Sequence, residues 1–142
     1  MNINFNEMPS GYALCIINSC PMAAHCLRQL AMQAKVKKDK IITIVNPHLT
    51  KASGDCEFYR SDQIATFAKG FSKMKEQMLP GQYNSFMSQL KDRFGRTSYF
   101  EHRRGERLCT PEDIAFIQEV LDHLGLPHLP FDDYVEQINW QY

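Results

Sequence analysis

CIINSCPMAAHC, residues 15–26, sets Cys15, Cys20 and Cys26 with four and then five residues between them, and after a long gap Cys56 follows. Beyond Cys56 the chain has one more cysteine, Cys109. Thiolates are soft ligands, and four of them suit a tetrahedral Zn²⁺ or an iron–sulfur cluster. Three near sulfurs closed by a distant fourth therefore predict a metal clip on Cys15, Cys20, Cys26 and Cys56. The spacing is wider than the paired C-x₂₋₄-C of zinc fingers, and it lacks the tight run of common cluster ligands, which favours zinc over a cluster. Two other readings stay open: small buried thiols that pack as hydrophobes, and disulfides. His25 and His48 lie in the same region as substitute ligands, although a lone histidine is more often a surface residue.

Working outward, Pro9, Ser10 and Gly11 form a turn cluster that leads into the apolar run Tyr12 to Ile17, expected to be extended. Pro21 is placed to open a helix running to about Lys35, with Ala23, Leu27, Leu30 and Ala34 inward. On that reading Cys20 sits at the helix mouth, where the dipole favours a thiolate, and Cys26 lies on the helix. The β-branched run Ile41 to Val45 reads as a strand able to pair with Tyr12 to Ile17. The loop from Pro47 to Asp55, with Ser53 and Gly54, would return Cys56 to the other sulfurs.

The second half reads as helical. Ser61 or Asp62 can cap a helix in which Ile64, Phe67, Phe71, Met74 and Met78 recur at three- and four-residue steps. Pro80 and Gly81 break it, and another helix follows from about Gln82 to Phe94, with Gly95 as a left-handed cap. Ser98 and Glu101 have the form of a capping box for a short helix from Tyr99 to Arg104, ended by Gly105. Thr110, Pro111 and Asp113 announce a last helix that carries Ile114, Ile117, Val120, Leu121 and Leu124 and stops at Gly125. Phe131, Tyr134, Ile138 and Trp140 in the tail are expected to dock on the core while Asp132, Asp133 and Glu136 stay wet. The fold class is thus mainly α with a small β element: a compact helical domain preceded by a Cys-rich strand-helix-strand unit. Residues 1–60 read as a Cys-rich metal-binding module and residues 61–142 as a helical module, together one compact domain.

With 142 residues and 44% hydrophobic composition the chain can build a core unaided. Its formal charge of zero excludes a global field toward nucleic acid or membrane. The charges are nevertheless uneven: nine Lys or Arg stand against four Asp or Glu from Lys69 to Arg107, and seven acids with no Lys or Arg lie beyond it. The amino terminus has neither the basic start nor the apolar run of a secretory signal, and no apolar run reaches membrane-spanning length, so a cytoplasmic location is expected. Reduced cytosolic thiols in turn favour metal ligands or free thiols over disulfides.

The succession Leu90, Phe94, Gly95, then Thr97, Ser98, Tyr99, then Arg103, Arg104, Gly105, Glu106, Arg107, then Thr110, Pro111, Glu112 resembles the helix-turn-helix of phage-repressor-type regulators. That resemblance implies DNA as a partner, with Arg96, Thr97 and Ser98 meeting phosphate at a helix start and His102, Arg103, Arg104 and Arg107 adding counterion-releasing contacts. The competing account pairs this basic segment with the acidic carboxy-terminal third inside the protein. Over its whole length the chain, through its cysteine arrangement, the FGR and GER triplets and the final Phe-Asp-x-Tyr with a late Trp, also resembles a family of small uncharacterised bacterial proteins of unknown function, a resemblance that implies no activity.

Two functional classes follow. One is a small intracellular metal-stapled, nucleic-acid-binding regulator; the alternative is a protein-interaction adaptor that uses the aromatic tail and binds no nucleic acid. No C-x-x-C, nucleophile elbow, Gly-rich phosphate loop or paired-carboxylate signature points to an enzyme.

Overall fold

The computed structural model describes residues 3–50 and 56–140. The protein is mainly α with a small β element; the described residues form four α-helices and a two-stranded antiparallel sheet. The chain divides into two compact units, Met1–Ile64 with Ile138–Tyr142, and Ala65–Gln137.

In the first unit, short 3-10 turns at Phe5–Glu7 and Ala23–His25 precede helix α1, Leu27–Lys35. The helix expected from Pro21 begins six residues late. The Leu27 N–H donates to the Arg60 carbonyl at 2.7 Å and the Asp62 N–H to the His25 carbonyl at 3.1 Å, and this pairing holds Cys26 extended at φ −96°, ψ 120°. Cys26 is therefore the N-cap of α1, and Cys20 is not at its mouth but in the preceding turn, where its carbonyl accepts from the Ala23 N–H. Leu27, Gln29 and Ala31 face inward, whereas Leu30 and Ala34 are only partly covered.

The runs Tyr12 to Ile17 and Ile41 to Val45 do meet, but through one parallel bridge rather than a sheet. Leu14 N–H donates to Thr43 O at 2.8 Å and Val45 N–H to Leu14 O at 2.9 Å. Ser53 and Gly54, the expected turn before Cys56, lie outside the described residues. Leu27, Ile138 and Trp140 form this unit's small core, covered by Ile3, Phe5, Met8 and Tyr12. Tyr12 meets Trp140 edge-on at 5.2 Å between ring centres, a favoured aromatic geometry.

In the second unit, the helix expected from Ser61 or Asp62 through Met78 is not formed. Ile64–Lys69 is strand β1, Gly70 turns the chain at φ +86°, and Met74–Gln77 is a short 3-10 turn. Distant partners override the helical period. Ala68 exchanges both backbone hydrogen bonds with Cys109, at 3.0 and 2.8 Å, and Phe71 N–H donates to Arg103 O at 3.1 Å. Phe67, Phe71 and Met74 are nevertheless buried, in a different conformation, whereas Ile64 is exposed and Met78 only half-buried.

Helix α2 runs Pro80–Phe94, with Pro80 at its first position and the Gln82 side chain accepting from the Leu79 N–H at 2.8 Å. Gly95, at φ 81° and ψ 159°, is not a left-handed cap; it lies in an extended mirror conformation open only to glycine and passes straight into α3, Arg96–Arg104. Because α3 starts this early, Ser98 lies inside it and no Ser98–Glu101 box forms. Gly105 ends α3 in the left-handed conformation, as expected. Helix α4, Pro111–His123, has the foreseen N-terminus: Thr110 Oγ1 accepts from the Asp113 N–H and Asp113 accepts from the Thr110 N–H.

The tail contains a strand the sequence reading missed, β2, Asp133–Ile138, paired with β1. Phe131 is buried and Asp132, Asp133 and Glu136 are exposed, as anticipated, but Tyr134 points out, its hydroxyl accepting from the Phe131 N–H. The unit's core gathers Phe71, Phe86, Leu90, Tyr99, Ile117, Val120, Leu121 and Phe131, with Phe71 edge-on to Phe86, Tyr99 and Phe131.

Candidate functional site

Cys15, Cys20, Cys26 and Cys56 line one cavity of about 20 Å³ in the first unit. Its wall is completed by Met22, Arg28, Gln29, Thr50, Phe58 and other residues of the same segments. Each sulfur arrives on a different piece of chain. Cys15 lies on the extended run and donates its N–H to Arg28 O at 3.2 Å; Cys20 opens the turn before Ala23–His25; Cys26 caps α1; Cys56 opens the turn that Tyr59 N–H closes at 3.2 Å. Cys15 and Cys26 are buried, Cys20 and Cys56 half-buried, and all four are free thiols.

Burial pushes the Cys15 thiol above its ordinary value; a backbone hydrogen bond from Ile17 opposes this, and Cys26, Cys20 and Cys56 each push it further up. The last three effects reflect proximity, since negative charge on any of these sulfurs penalises it on Cys15. Among the described residues, no three or more His, Cys, Asp or Glu side chains form a ready-made cage for an ion. The sulfurs share a cavity without the close approach of formed ligands.

The two histidines do not line it. His25 is exposed with Nδ1 3.2 Å from Asp62, and exposed His48 is held in a turn by its N–H to Asn46 Oδ1. The sequence reading overlooked Arg28. Its Nε donates to Phe58 O and its Nη1 to Ala13 O, both at 2.8 Å, and its guanidinium lies 5.0 Å from the Tyr12 ring centre. Nothing local marked it, because both carbonyls belong to segments remote in sequence.

The basic candidates fall on α3 and the loop after it. Arg96 and Thr97 are exposed on the first turn. His102 is only 5% exposed: its Nδ1–H donates to Ser98 O at 2.7 Å, the Ser98 hydroxyl lies 3.2 Å away, and its ring stacks on Phe94 at 4.2 Å. Arg104 pairs with Glu106 at 2.6 Å and Arg107 with Glu101 at 3.0 Å, both within the basic segment itself. Contact with the acidic third comes instead from Arg93, 3.1 Å from Asp113, and from His102 Nε2, 3.9 Å from the same carboxylate. Arg103 is half-buried.

No helix among the described residues is long and apolar enough to cross a membrane. No curated protein and no solved structure matches the chain. A family model does match, over residues 1–140, and on that match the chain belongs to a family of unknown function, DUF6078.

Proposed function

We propose that the first unit is stapled by a single Zn²⁺ held by Cys15, Cys20, Cys26 and Cys56. The observation that carries this reading is the convergence of four free thiols, three from residues 15–26 and the fourth from Cys56, on one cavity of about 20 Å³. A cavity of that size has room for a single small ion. Four sulfur donors match the closed tetrahedral set of structural zinc and leave no open position for catalysis. The described core of this unit is small, and a metal supplies what such a core lacks. Binding requires the thiols to lose protons to solvent, and the cation then offsets the burial and, to a lesser extent, the mutual repulsion that raise the Cys15 thiol.

Elemental analysis of protein purified under reducing conditions is expected to give about one zinc per chain. Iodoacetamide should label Cys20 and Cys56 only after a chelator is added. Protein that holds no metal after zinc reconstitution, with both thiols alkylated at once, would end this reading.

Nucleic-acid contact through α3 is a second reading, favoured by Arg96 and Thr97 standing exposed where Gly95 supplies no side-chain cap to the helix N–H groups. It rests on Arg96, Thr97 and Arg103, since Arg104 and Arg107 already have acidic partners. Mobility shift across salt concentrations tests it: binding that weakens with salt and with Arg96→Ala supports it, and no shift at low salt removes it. Partner capture that survives Arg96→Ala and Arg103→Ala would favour a protein-interaction adaptor instead.

A further inference from the structure

We infer that Arg28 is the positioning residue of the thiol centre, clasping the chain segments that carry Cys15, Cys26 and Cys56 into one register before any metal arrives. The inference rests on the zinc reading above and adds how the site is organised.

Arg28 is two residues past Cys26 on α1, and each of its two side-chain donors reaches a different segment. One N–H ends on the carbonyl of Ala13, two residues before Cys15; the other ends on the carbonyl of Phe58, two residues after Cys56. The Arg28 carbonyl returns the contact by accepting the Cys15 N–H. The segments of Cys15 and Cys56 are thus tied to Arg28 by three hydrogen bonds, and Cys26 by the helix they share. The Tyr12 ring beside the guanidinium fixes its position from a further side.

The geometry needs arginine in particular. A planar guanidinium carries donors at fixed, diverging directions, whereas an ammonium on a flexible stem does not hold two carbonyls in a set relation. Among the described residues, Arg28 is the one charged side chain on the cavity wall. Four thiolates around a divalent ion carry a net double negative charge, and a guanidinium on the wall favours that state over four neutral thiols.

The test compares full-length wild type with Arg28→Lys, which keeps the charge and loses the fork. Co²⁺ titration reports tetrahedral thiolate ligation by its visible and near-ultraviolet bands, and Zn²⁺ competition against a chromophoric chelator gives relative affinity. Arg28→Lys is expected to bind zinc about ten- to a hundredfold more weakly, the range for residues that orient metal ligands, with weakened Co²⁺ bands. The emission of Trp140, the only tryptophan and part of this unit's core, shows whether the variant keeps its fold.

Equal affinity in a folded variant overturns the role of Arg28 and leaves the zinc centre standing. Wild type without thiolate bands overturns the zinc reading itself. Should the variant unfold, hydrogen exchange of metal-free wild type decides: a protected Cys15 amide is expected, and an amide protected only after zinc addition would mean that the metal, not Arg28, sets the register.

Discussion

Cys109 shows how one residue's surroundings rewrite its chemistry. It is completely buried beside Ala68, and burial, reinforced by Asp113, pushes its thiol up to about 12 from the ordinary 9.0. Between these values the unfolded chain has lost a proton that the folded chain retains. Raising the pH from about 9 toward 12 therefore favours unfolding, with a slope approaching about 1.4 kcal/mol per pH unit from this group. Denaturant titrations across that range should show a shallower decline for Cys109→Ala than for wild type; parallel curves would exclude the effect. Gly70 makes the opposite point, a residue needed for what it lacks. At φ +86°, an added Cβ would stand 2.8 Å from Asp132 Oδ2, the atom that accepts both the N–H and the hydroxyl of Ser72. Gly70→Ala is expected to lower stability by about 1–3 kcal/mol, read from chemical denaturation, through strain at this turn.

Whether a local signal survives at the level of an element depends on whether something remote competes for the same backbone. Thr110 and Asp113 satisfy each other's N–H groups at the start of α4, and the segment was legible because both halves of the box lie within four residues. Thr110→Ala should cost about 1 kcal/mol in a denaturant melt. Ser98 and Glu101 carry a similar signature, but Gly95 lets α3 begin earlier, and Ser98 instead stands against His102. Ser98→Ala is expected to change stability by no more than about 0.5 kcal/mol, and a loss comparable with that of Thr110→Ala would show that Ser98 matters to the helix after all. The run from Ile64 to Met78 has a helical period, yet β1 pairs with β2 and Ala68 with Cys109, so Phe67, Phe71 and Met74 are buried from a strand and a turn while Ile64 stays exposed.

For the molecule as a whole, the two units have different means of stability. Residues Ala65–Gln137 enclose a core of aromatic and aliphatic side chains on α2, α3 and α4. The first unit has a short helix, isolated bridges and a small described core around Leu27 and Trp140, and in the zinc reading it depends on its thiol centre. Stripping the metal should speed amide exchange at Leu27 and Asp62, whose hydrogen bonds join the start of α1 to the segment after Cys56, and shift Trp140 emission to the red. Exchange mass spectrometry with and without chelator measures this, and identical rates would argue against a metal-dependent unit.

The sequence by itself determined the mainly helical class, the body of α2, α4 with its first turn, the stop at Gly105, and the four cysteines worth placing together. Those features rest on residues a few positions apart, where propensity and capping act without outside help. Only the tertiary structure decided that Ile64–Lys69 and Asp133–Ile138 are strands, that α1 waits until Leu27, and that Arg28 clasps two remote carbonyls. Each of those depends on a hydrogen-bond partner far along the chain, and a backbone group that must be satisfied on burial takes the partner that folding brings to it.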